Sequence, residues 1–104
     1  MADNLEELSF SSKGYHIGTD GRDRWWQRDY ETHSVYIVAT TDDVTKGHRL
    51  PELDDEVDVF LMTASGETVR QITLTDVYAA HGFVDKLEVM RRTGSQITDS
   101  DIWE

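Results

Sequence analysis

The sequence predicts a mainly β fold: a small antiparallel sheet curled into a barrel or sandwich with one short helix, an α+β layer being the alternative. Three observations carry this expectation. The apolar residues fall in short runs, at 35–39, 57–62 and 83–90, bounded by polar turn residues. Several runs are rich in β-branched and aromatic residues and alternate with polar ones, the two-residue period of a half-buried strand. About six such segments sit at close spacing with a single helix signature among them, as in small closed or stacked sheets.

Residues 1–9 suit a short helix, with Asp3 or Asn4 as its cap, Glu7 as capping-box partner, and Leu5 and Leu8 on one narrow apolar edge. Phe10, Tyr15 and Ile17 suggest a strand interrupted near Ser12, Lys13 and Gly14. Residues 18–21 (Gly-Thr-Asp-Gly) read as a turn, because glycine supplies positive φ and aspartate an Asx-type bond. Over 24–30, alternation sends Trp25, Gln27 and Asp29 to one side of a strand and Arg24, Trp26, Arg28 and Tyr30 to the other. A hairpin loop at 31–34 leads into a β-branched and aromatic strand at 35–40. The polar stretch 41–53, which holds the only proline, Pro51, is the longest loop. The clearest hairpin pairs 56–63 with 68–74 through residues 64–67. Thr75 and Asp76 cap a compact helix that Gly82 ends, with His81 placed against its C-terminal dipole. Residues 83–92 then read as a last strand with Phe83, Leu87 and Val89 on one side. The expected core is Val35, Ile37, Val57, Val59, Leu61, Ile72, Leu74, Leu87 and Val89.

At 104 residues the chain is expected to form one domain with its own core, residues 93–104 serving as a tail. It has no cysteine, which removes disulfide frameworks and thiolate metal sites. No apolar run reaches the ~18 residues of a membrane span. The acidic beginning, MADNLEELSF, lacks the basic and hydrophobic regions of a signal peptide. A soluble, cytoplasmic protein is the expectation.

Net charge is −11, and it is uneven. Residues 1–50 carry six Lys/Arg against nine Asp/Glu, net −3; residues 51–104 carry four against twelve, net −8. Such a field repels nucleic acid and anionic lipid and attracts basic partners. A competing cause is adaptation to a high-salt cytosol, which the thirteen Asp, eleven Thr and only three Lys also fit. At molar salt the Debye length falls to about 3 Å and long-range repulsion disappears.

Two stretches stand out as candidate contact surfaces. In GRDRWWQRDY (21–30), Arg24, Trp26 and Arg28 share one side of a strand, a residue set typical of interface hot spots or of base stacking. On this interaction reading Trp26 is the accessible indole. On the structural reading Trp25 enters the core, Trp26 covers the sheet edge, and the arginines pair with nearby acids. The second stretch is Glu52 to Asp58, where Glu52, Asp54, Asp55, Glu56 and Asp58 place five carboxylates in seven residues. Calcium fails on pattern, having no DxDxDG run. A solvated loop and charged edge strand is the plain reading; carboxylates regularly spaced on a rigid strand, imitating a phosphate backbone, is the functional one. The tail adds Trp103 in an acidic–hydrophobic setting, either docking on a partner or tucked onto the body.

No HxH, HxxxH, HExxH, GxSxG, GxGxxG or P-loop pattern occurs, so metal, nucleophile and nucleotide chemistry have no motif behind them. The sequence therefore points to a non-catalytic acidic binding protein with no cofactor or metal, docking on a protein with a basic surface. An inhibitor, immunity or antidefence protein mimicking nucleic acid would suit this size and charge. Nucleic acid is disfavoured as a partner at ordinary salt, and a membrane is not expected. The second reading is a small β-barrel from a high-salt cytosol that binds single-stranded nucleic acid through Trp25, Trp26 and the arginines. The third is a small enzyme or ligand carrier whose site is assembled only in the fold.

Overall fold

The computed structural model describes residues 9–41, 45 and 47–103. The helix expected over 1–9 lies outside the described residues, Ser9 apart. Five strands follow in chain order: β1 (His16–Asp20), β2 (Asp23–Asp29), β3 (His33–Ala39), β4 (Val57–Thr63) and β5 (Thr68–Leu74). They form a single antiparallel meander in the order β1-β2-β3-β4-β5. β1 and β5 lie at opposite edges, so the sheet is open. The mainly β, antiparallel expectation holds, with a helix layer in place of barrel closure.

Local chemistry explains the turns. Gly21, at φ 63°, is the first of two residues joining β1 to β2, a position that favours glycine. The turn expected over 18–21 is thus shorter, and Gly18, Thr19 and Asp20 belong to β1. Gly18 serves packing: a Cβ there would lie 2.4 Å from the Trp25 ring. The strand expected from residue 10 begins only at His16, after a 3-10 turn at Ser11–Lys13. The 56–63/68–74 hairpin forms as expected, with an irregular register between Leu61 and Met62.

The largest departure is at the C-terminal end. Residues 83–92 are not a strand: α1 spans Val77–Thr93, running through Gly82. Its buried residues, Val77, Ala80, Phe83, Val84 and Leu87, recur every three or four positions, the helical period. Glycine inside a helix costs about 1 kcal/mol relative to alanine. Gly82 is exposed with open space around it, and the burial of Phe83, Val84 and Leu87 beyond it outweighs that penalty. Val89, expected in the core, lies on the far side of the helix and is 57% exposed. Asp76 caps the start by accepting from the Ala79 amide at 2.8 Å. Gly94, in the left-handed region, ends the helix; the Ser95 amide returns to the Met90 carbonyl at 2.8 Å, closing a Schellman-type stop. His81 therefore sits mid-helix, stacked on Phe10 at 4.0 Å, and not at a helix end.

α1 covers one face of the sheet. Phe10, Trp26, Val35, Ile37, Val57, Val59, Leu61, Val77, Phe83, Val84 and Leu87 form the shared core. Ile72 and Leu74, expected in it, are partly buried against it. Arg28 of β2 pairs with Glu88 of α1 at 3.2 Å, and Lys13 of the 3-10 turn with Asp85 of α1 at 2.8 Å.

The open sheet face as a candidate docking surface

Directly paired residues of neighbouring strands project to the same side, so the register sorts every strand residue by face. The helix-covered side takes Trp26, paired with Ile37, and Val35, paired with both Arg28 and Leu61. The opposite side has three successive rows. The first is broken between β2 and β3: Gly18 pairs with Trp25 and Val38 with Asp58 and Thr73, while the 48–49 backbone accepts from the Arg24 and Ala39 amides between them. The next runs His16, Gln27, Tyr36, Phe60, Gln71; the last Asp29, Ser34, Met62, Thr68. Asp20 and Asp23 pair just above the first row.

Charge is completely segregated by this alternation. Every strand arginine, Arg24, Arg28 and Arg70, stands on the helix side. Every strand aspartate among the described residues, Asp20, Asp23, Asp29 and Asp58, stands on the open side, and none of the five described strands carries lysine or glutamate. The centre of the open side is apolar. Trp25 and Tyr36 stack with ring planes 5° apart and centroids 5.6 Å apart. With Val38, Phe60 and Met62 they line a shallow trough of about 280 Å³, which Asp23 and His48 also border. An apolar centre with a polar border that includes carboxylates has the anatomy of an interface: desolvated middle, polar rim.

Hydrogen bonds hold this surface in place. The Trp25 indole N–H donates to Gln27 Oε1 at 2.9 Å, and Gln27 Nε2 donates to Asp29 at 2.8 Å. Ser34 Oγ donates to the same Asp29 oxygen at 2.6 Å. Those bonds, from Ser34 first and then Gln27, hold the Asp29 carboxyl below the usual carboxylate range and so keep it charged. Asp58 accepts from Thr73 Oγ1 at 2.6 Å. Asp23 receives the His48 amide at 2.7 Å, tying the segment before β4 to the start of β2.

The residues singled out from sequence are placed differently. Trp26 is 8% exposed and packs on Phe10, so the accessible indole is Trp25, and the expected order of the two is reversed. The two rings point oppositely, as alternation requires, and only the Trp26 side meets α1. Arg28 is spent inside the fold: Nη1 donates to the Lys13 carbonyl at 2.9 Å, Nη2 to Glu88 at 3.2 Å, and the guanidinium lies 4.9 Å over Tyr30. Arg24 is exposed, on the opposite side from Trp25. The acidic run does not lie on one rigid strand. Glu52, Asp54, Asp55 and Glu56 precede β4, and Asp55 grips Arg49 at 2.6 and 2.9 Å while accepting the Glu52 amide at 2.8 Å. Trp103 is tucked onto the body, 4.8 Å edge-on to Phe83, its N–H donating to the Ile97 carbonyl at 2.7 Å. Of the nine, Asp58 alone holds a strand position on the open face.

Sequence reasoning missed Tyr36, Phe60 and Met62 as surface residues. The signal was present: with Val57, Val59 and Leu61 inward, Phe60 and Met62 must face out. Among the described residues no group of three or more His, Cys, Asp or Glu is placed to hold a metal ion, and no helix is long and apolar enough to cross a membrane. No family model, curated protein or solved structure matches the chain.

Proposed function

We propose that this is a non-catalytic acidic binding protein whose open sheet face docks on a basic protein surface. The observation that carries the reading is the segregation of strand charge, with strand aspartates and no strand arginine on the face that α1 leaves uncovered, around an aromatic centre. The net charge of −11 draws such a partner from a distance, and the apolar centre supplies the short-range contact that charge alone lacks. Nucleic-acid mimicry by residues 52–58 receives less support, because Asp55 is already paired with Arg49 and the run bends through a loop. The single-stranded nucleic-acid reading is also weakened. Stacking platforms for single strands place cations beside the aromatics, whereas here the strand arginines and the Trp25–Tyr36 pair occupy opposite faces.

Two variants of equal net charge test this. Asp29→Asn with Asp58→Asn removes two carboxylates from the face, and Glu52→Gln with Asp54→Asn removes two from the loop. Calorimetric titration with a lysine-rich peptide should show the face variant weakened at least about fivefold, as expected for close charge pairs, and the loop variant little changed. Equal weakening of both would reduce the effect to net charge and overturn the docking face.

A further inference from the structure

Resting on the docking face just proposed, we infer that the trough between Trp25, Tyr36 and Phe60 receives arginine side chains of the partner, in preference to lysine. The trough is walled by Trp25, Tyr36, Val38, Phe60 and Met62 and bordered by Asp23. Trp25 and Tyr36 stack on each other, with planes 5° and centroids 5.6 Å apart, so a flat cation in the trough lies against the outside of this pair and beside Phe60, not between the two rings.

The guanidinium group is planar, weakly hydrated and stacks on aromatic faces. The ammonium group is compact and strongly hydrated, and loses more on entering apolar walls. The rings are also preorganised for this use. The indole N–H of Trp25 is satisfied by Gln27, which is anchored in turn to Asp29. Gly18 leaves the space the ring fills, where any Cβ would collide with it. Ordering costs on binding are therefore small. No arginine of this chain's own strands competes, since all three lie on the helix side.

The probes are hexa-arginine and hexa-lysine peptides, titrated at the same ionic strength against the full chain and against Trp25→Leu, which keeps an apolar side chain and removes the π surface. Tyr36→Leu is the second variant should Trp25→Leu fail to fold by circular dichroism. Hexa-arginine should bind the parent at least about threefold more tightly than hexa-lysine. In the variant the two should bind alike, with hexa-lysine affinity changed less than about twofold. A parent that binds both peptides equally overturns the arginine site and leaves the acidic docking face standing, as does a preference that survives both substitutions. Failure of both peptides to bind overturns the site and the docking face together. So does binding of an oligothymidylate in their place.

Discussion

Replacing Trp26 and Trp25 separately by alanine should separate core from docking surface within one dipeptide. Trp26 is 8% exposed and lies among Phe10, Val35 and Ile37 beneath α1. Removing a ring from such a site costs about 3–5 kcal/mol, the lost burial plus the cavity left behind. For a domain of this size the melting temperature should fall by at least about 12 °C. Trp25 is half-buried on the open face, where it loses one stacked partner, Tyr36. Partial burial and one aromatic pair together are worth about 1–2 kcal/mol. Urea unfolding followed by far-ultraviolet circular dichroism, run on both variants beside the parent, gives the two numbers directly. Equal losses, or a larger loss for Trp25→Ala, would refute the placement of the two indoles and with it the identity of the exposed face.

Three further outcomes follow from the fold. Asp76→Ala removes the acceptor of the Ala79 amide at the start of α1 and should cost about 1 kcal/mol in the same unfolding assay. Glu88, held by Arg91 and then Arg28, has its carboxyl lowered from 4.5 to about 2. A lowered folded value stabilises above the unfolded one and is lost as pH falls, so the melting-temperature gap between the parent and Glu88→Gln should be full above 4.5 and close toward about 2. At a net charge of −11, screening should raise the melting temperature with KCl into the molar range; a curve indifferent to salt removes self-repulsion as a term in stability.

Much of the sheet was legible because strands write their own period. The inward set Val57, Val59 and Leu61 and the hairpin with β5 follow from alternation and turn residues alone. Alternation also put Trp25 and Trp26 on opposite sides. It could not say which side a helix covers, since that depends on a segment fifty residues away. That segment was itself misread: Gly82 resembles a stop, and Leu87 and Val89 two apart resemble a strand, yet Val77, Ala80, Phe83, Val84 and Leu87 satisfy the helical period better. The same distance hid the role of Arg28, whose carboxylate partner Glu88 lies on that helix. Clustering in sequence made Glu52 to Asp58 look like a surface. The acidic face that the structure supports draws Asp20, Asp23, Asp29 and Asp58 from three strands, and only the register brings them together.

Amide and indole shift mapping by nuclear magnetic resonance, with hexa-arginine titrated into the isotope-labelled protein, locates the docking surface residue by residue. The largest changes should fall on Trp25, Gln27, Tyr36, Phe60 and Met62, the Trp25 indole signal moving while those of Trp26 and Trp103 stay in place. Changes centred on the 52–56 loop or on α1, with the Trp25 signal unmoved, would contradict it.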